Sequence, residues 1–151
     1  MLVSLRLDQF NNNHIKVGEK VENNIINNSY FLRINYNNSF SSINGIYLFF
    51  TLDDVKIRNT NFVKVGYYFD KIKNKSTIDN LISIENDILK IFPNQYKNKV
   101  THIKNQLNQE FFKVYNHKLM KNNFILKISG FWENEYEYGL SYKFIGINHL
   151  L

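Results

Sequence analysis

Polar and apolar positions alternate along much of the first half of the chain, and the period changes near its middle. Tyr30 to Tyr36 puts Leu32, Ile34 and Tyr36 on one side and Phe31, Arg33 and Asn35 on the other. That two-residue period predicts a half-buried strand. Asn44-Gly45 is a turn signal. The β-prone run Ile46 to Leu52 follows it, with Tyr47 and Phe49 opposite Leu48 and Phe50. Val55 and Ile57 then alternate with Lys56 and Arg58, and Phe62 to Phe69 sets Val63 and Val65 against Lys64 and Tyr68. Beyond Ser76 the spacing becomes helical, through Ile78, Leu81, Ile82, Ile88, Leu89 and Phe92. Ser76 with Asp79 resembles a capping box, and Pro93 ends or kinks this helix. Tyr96, Val100, Ile103, Leu107, Phe111 and Val114 predict a second helix from Asn94 to about Tyr115. The chain closes on a predicted β-hairpin, with arms Phe124 to Trp132 and Leu140 to Ile147 around a turn at Glu133 to Tyr138.

This order predicts one α+β domain over residues 1–151: an antiparallel sheet or small OB-like barrel, a helical insert over about residues 76–115, and a C-terminal β-hairpin. A barrel would remove the exposed edges of such β-prone strands. No internal repeat and no Pro/Gly/Ser linker divides the 151 residues, a length that suits one core.

Composition adds an environment. Asparagine makes up about a sixth of the chain, alanine is absent, and lysine outnumbers arginine about five to one. Ile, Phe, Tyr, Lys and Asn share AT-rich codons, which points to an AT-rich genome. Some of the Lys and Tyr then reflect codon usage and not binding. No cysteine is present, which excludes disulfides, thiolate metal sites and a cysteine nucleophile. No apolar run approaches the ~18 residues of a membrane span, and Met1 to Phe10 lacks a signal-peptide core. The expectation is an intracellular, reducing compartment: host cytoplasm, viral factory or nucleus, or else an organelle. The net charge of +6 favours a polyanionic partner.

Little in the chain reads as a catalytic constellation. His14, His102, His117 and His149 are scattered, without metal-ligand spacing. Asp53-Asp54 is a lone carboxylate pair better suited to a turn, and Glu133, Glu135 and Glu137 suit a solvated loop. There is no Gly-rich phosphate loop and no G-x-S-x-G motif. The expectation is a non-catalytic protein with no metal and no cofactor.

Binding chemistry is better represented. Single-strand binders combine a basic groove with aromatic faces on which bases stack. Strict alternation puts Phe31 with Arg33, Tyr47 with Phe49, Lys56 with Arg58, Lys64 with Tyr68 and Lys127 with Phe131, and turns Lys143 away from Tyr142 and Phe144. Trp132 ends a strand beside Gly130, either packed under the helices or capping a groove. The bland alternative is that the aromatics fill the core. Lys97, Lys104 and Lys113 lie on the polar side of the helical insert, a surface suited to a protein partner rather than a membrane.

Two stretches resemble a known group. Tyr47 to Arg58 reads YLFFTLDDVKIR, and Phe124 to Phe144 reads FILKISGFWENEYEYGLSYKF. The second resembles the closing hairpin of small proteins of giant DNA viruses of protists: a basic strand, an SG-[FI]-W-E step, a short acidic loop, then YGL-[ST]-[YF]-K-[FI]. The first resembles an internal strand of that group, and together they cover about a quarter of the chain. The resemblance implies an OB-like single-stranded DNA-binding protein of viral replication, with Lys127, Trp132, Tyr142 and Lys143 at the patterned positions. The chain ends His149-Leu150-Leu151, where many replication single-strand binders carry an acidic recruitment tail.

The expected function is therefore binding of single-stranded DNA or RNA, in an oligomeric state the sequence leaves open. The expected contacts are Phe31, Arg33, Tyr47, Phe49, Lys56, Arg58, Lys64, Tyr68, Lys127, Trp132, Tyr142 and Lys143. The alternative is a structural or assembly protein, such as a virion component or an organellar ribosomal protein.

Overall fold

The computed structural model describes residues 4–23, 25–26, 28–38, 42–59, 64–115 and 122–146, without the side chains of Asn59, Lys64 and Tyr115. Phe62, Val63, His117, Ile147 and His149 lie outside the described residues. The strands are β1 (Leu5–Arg6), β2 (Ile15–Glu22), β3 (Tyr30–Asn37), β4 (Ser42–Asn44), β5 (Ile46–Thr51), β6 (Lys56–Asn59) and β7 (Lys64–Tyr68), followed by β8 (Asn98–Lys99), β9 (Phe111–Tyr115), β10 (Asn123–Glu133) and β11 (Glu137–Gly146). Helices α1 (Lys75–Leu89) and α2 (His102–Asn108) lie between β7 and β9.

Among the described residues the fold is mostly sheet with two α-helices, an α+β arrangement. The sheet runs β1-β5-β10-β11-β9-β7-β6 and stays open; β3 joins β10 and carries β2 and β4. The closed OB-like barrel is thus corrected to an open sheet whose path ends on two edges. Most pairs are antiparallel, but β1 with β5 and β11 with both β8 and β9 are parallel.

The helical insert is corrected too. Only His102–Asn108 of the expected second helix is helical, and Phe111–Tyr115 is a strand. Glu110 takes a left-handed φ of 59°, which ends the helix, and β9 then finds partners on both sides in β7 and β11. Backbone pairing on two edges outweighs a helical spacing that fitted Phe111 and Val114 equally well. Lys97, Lys104 and Lys113 consequently share no helix face; they sit in a loop, in α2 and in β9. Nor does Ser76 cap α1. The cap position is Asn74, whose amide instead accepts from the Asp53 N–H at 2.7 Å and donates to the Asp53 and Asp70 carbonyls.

One face of the sheet is covered. Ile78, Leu81, Ile84, Ile88 and Leu89 of α1 and Ile103 and Leu107 of α2 pack on Leu32, Ile34, Leu48, Phe50, Phe112, Phe124, Leu126, Ile128 and Phe144. Each such side chain contributes about 1.5–3 kcal/mol on burial. Glu85 of α1, also buried, accepts the N–H groups of Ile103 at 2.8 Å and Lys104 at 2.9 Å. It thereby satisfies the first donors of α2, whose own N-cap Thr101 makes no side-chain bond. Burial pushes the Glu85 carboxyl up, and those two amides with Lys104 and Lys99 oppose it. At the end of β10, buried Glu133 pairs with Lys20 at 2.5 Å and Lys97 at 3.0 Å. Burial alone would raise its carboxyl, but the two lysines hold it below the ordinary glutamate value.

Candidate functional site

The other face of the sheet is built from the alternate residues of the same strands. Register sets Tyr47 of β5, Lys127 of β10 and Lys143 of β11 opposite one another, and Phe49, Ile125 and Ile145 in the next row, where Ile125 is buried. Arg33 and Phe31 of β3 stand opposite Gly130 and Trp132 of β10. Strands β3, β5, β6, β7 and β9 contain no acidic residue at all. In β10 the one carboxylate, Glu133, is buried and paired.

A β-bulge shapes this face. Between Ile128 and Gly130 the β10–β11 register shifts, leaving Ser129 as the extra residue. At the same point β10 exchanges one neighbour for another: residues 123–128 pair with β5, and 130–133 pair with β3. Gly45 makes the turn between β4 and β5 at a φ of 88°, where an added Cβ would also stand 3.0 Å from the Ile128 carbonyl oxygen. The diverging strands leave an open groove of about 250 Å³ lined by Phe31, Arg33, Asn44, Tyr47, Lys127 and Ser129. Inside it, the Lys127 ammonium sits 5.4 Å from the Tyr47 ring centroid, within cation–π range.

The bulge also corrects one pairing read from alternation. It reverses the phase of β10, so Phe131 faces the covered core while Lys127 stays on the open face. Trp132 moves to the open face by the same shift. Its indole lies on Gly139, where a Cβ would stand 2.7 Å from Cζ2, and its ring centroid is 5.5 Å from that of His102.

Four of the expected residues, Phe31, Arg33, Tyr47 and Lys127, therefore meet in one groove, with Phe49, Trp132 and Lys143 on the same face around it. Lys56, Arg58 and Tyr68 form a separate group on β6 and β7. Arg58 donates to the Tyr68 hydroxyl at 3.0 Å, and Tyr68 lies 4.6 Å from the Phe111 ring. Lys56 lines a cavity of about 470 Å³ whose charges are mixed, with Asp54, Asp70, Lys73 and Glu110. Lys73 pairs with Asp54 at 3.0 Å, so this cavity is not an anion site. The backbone of Lys64 pairs with Tyr115 in the sheet; its side chain lies outside the described residues. Tyr142 belongs to the covered face: its hydroxyl is 3.4 Å from the His102 carbonyl it donates to, and burial, with the Glu85 charge, pushes it up to about 12.

No family model, curated protein or solved structure matches the chain. Among the described residues no group of His, Cys, Asp or Glu side chains is placed to hold a metal ion, and no helix is long and apolar enough to cross a membrane.

Alternation alone did not single out two open-face residues. Lys113 of β9 falls inside the helix that the apolar spacing predicts, and Phe111 lies over Gly66 with its Cε2 2.7 Å from where a Cβ would stand. A glycine in a strand followed by an aromatic on its neighbour was the available signal.

Proposed function

We propose that the open face of the sheet binds single-stranded nucleic acid, DNA in the first instance, and performs no chemistry on it. One observation carries this reading: the groove at the strand divergence joins two aromatic rings, Phe31 and Tyr47, to two cations, Arg33 and Lys127, with no carboxylate in its lining. Rings of this kind stack on bases of any sequence, at about 1–3 kcal/mol per base, while the cations neutralise phosphate. An open sheet presents such a face without needing a closed OB-like barrel. The resemblance to small giant-virus proteins is part of the same proposal and supplies its setting, replication in a viral or virus-like element.

The test is filter binding of single-stranded and duplex oligonucleotides across a salt series. The expected result is binding of the single strand at micromolar concentration or tighter at low salt, weaker binding of the duplex, and an affinity that falls steeply as salt rises. Tyr47→Ala should weaken binding at every salt concentration, because a stack is lost and the charge is kept. If the folded protein binds no single-stranded oligonucleotide at low salt, the reading is wrong and the assembly-protein alternative replaces it.

A further inference from the structure

The cations of the open face are not scattered; the register sets them in line. Lys127 of β10 stands directly opposite Lys143 of β11. Lys143 and Lys113 each immediately precede the paired residues Phe144 and Val114 of β11 and β9. Lys113 is opposite Gly66 of β7, and Gly66 is opposite Arg58 of β6. Four cations thus form one row at right angles to five neighbouring strands, interrupted only at Gly66. At the usual strand spacing of about 4.8 Å the row is about 19 Å long. Tyr47 continues it by one strand, into the groove.

This row is unfavourable to the protein standing alone. Like charges directly opposite on adjacent strands repel. Among the described residues none of Lys127, Lys143, Lys113 and Arg58 has a carboxylate partner, although ion pairs are formed elsewhere by Lys20, Lys73, Lys75 and Lys97. Between β11, β9 and α2, a depression of about 690 Å³ is lined by Lys113 and Lys143, two glutamines of α2 or its end, and the rings of Phe111, Tyr142 and Phe144, again without an acid. A file of cations without carboxylate partners complements a file of phosphates.

We propose that a single-stranded DNA backbone crosses the strands along this row, its phosphates on Lys127, Lys143, Lys113 and Arg58. Its leading base is held in the groove between Phe31 and Tyr47. This rests on the reading of the open face given above, and adds to it the direction of the strand and two phosphate contacts, Lys113 and Arg58, remote from the groove. A strand lying along β10 would never reach either.

The experiment is isothermal titration of oligothymidylates of increasing length, over a salt series, into the full chain and into two double variants. Affinity should climb with length until the strand covers the row, on the order of 4 to 6 nucleotides, and then level off. Each phosphate contact on a single strand contributes roughly 0.7 to the log–log salt slope, so Lys113→Gln with Arg58→Gln should lower the slope by roughly 1.4. Arg33→Gln with Lys127→Gln should weaken binding of even the shortest oligomer. Should the Arg58 change disturb β6, Lys143→Gln alone, at an exposed and unpaired site, should still lower the slope by about 0.7. If the groove variant loses affinity while neither Lys113/Arg58 nor Lys143 substitution alters the slope, the transverse path is wrong and the binding face stands. If the unmodified protein binds no oligothymidylate, both fall. Tighter binding of oligouridylate than of oligothymidylate would overturn the assignment to DNA.

Discussion

On the covered face, aromatic rings meet one another: Phe112 stacks on Phe144 at 4.3 Å and meets Phe124 edge-on at 5.1 Å. On the open face, Phe31, Trp132 and Phe111 lie on Gly130, Gly139 and Gly66 of the adjoining strands and Tyr47 lies beside a lysine, with Tyr68 and Phe111 a ring pair at 4.6 Å. The same residue types serve two ends. Ring against ring, under two helices, fills volume and holds the fold. Ring on glycine keeps an aromatic surface flat against the sheet and available from outside, with backbone beneath it and charge alongside.

That contrast makes its largest prediction for stability. Phe112→Ala should cost about 3–5 kcal/mol, the penalty of a cavity in a packed core. Tyr47→Ala should cost under about 1 kcal/mol and act on binding instead. Urea unfolding of both variants decides the matter, and equal losses would erase the distinction between the faces.

Charge offers the next contrast. Glu133 is buried and paired, so Glu133→Gln should cost about 2 kcal/mol by leaving Lys20 and Lys97 without their anion. Because its carboxyl is held below 4.5 in the fold, its contribution is present above that pH and is lost as pH falls through the lowered value. Glu85 opposes this trend, since a raised carboxyl favours the folded state as it takes up a proton. Thermal melts between pH 6 and 3 should therefore show a flatter acid limb for Glu133→Gln than for the unmodified protein.

Tyr67 sharpens the picture from inside the core. Its hydroxyl is buried with no hydrogen-bond partner among the described residues, and burial pushes it up to about 12. Tyr67→Phe should raise stability by about 1 kcal/mol in the same urea assay. The smallest effect belongs to the open face. Lys127→Gln with Lys143→Gln should leave stability unchanged or raise it by a few tenths of a kcal/mol, because two opposed like charges are removed. A clear loss of stability there would mean that the lysines serve the fold.

Much of this was legible in the alternation of β3 and β5, where Leu32, Ile34, Leu48 and Phe50 face the core and Phe31, Arg33, Tyr47 and Phe49 do not. The helical period of Ile78 to Leu89 marked α1 equally well. Two things were hidden. A spacing of three and four residues cannot tell a helix from a strand that gains partners on both edges, which concealed β9 and with it Lys113. A bulge leaves no mark in local propensity, so the phase reversal at Ser129 put Phe131 on the wrong face. Which strands lie side by side is set by contacts distant in sequence, and the row from Lys127 to Arg58 exists only because β10, β11, β9, β7 and β6 are neighbours.

Trp132, the single tryptophan of the chain, lies half-buried on the open face across from Phe31. The protein consequently carries its own optical reporter, one indole whose emission comes from a single known place. A base settling against Phe31 would change the polarity and quenching around that indole, so occupancy of the groove is readable in near-ultraviolet light from unlabelled protein. A strand held only at the far, Arg58 end of the sheet would leave the emission unchanged, so the indole reports the groove end of the track alone.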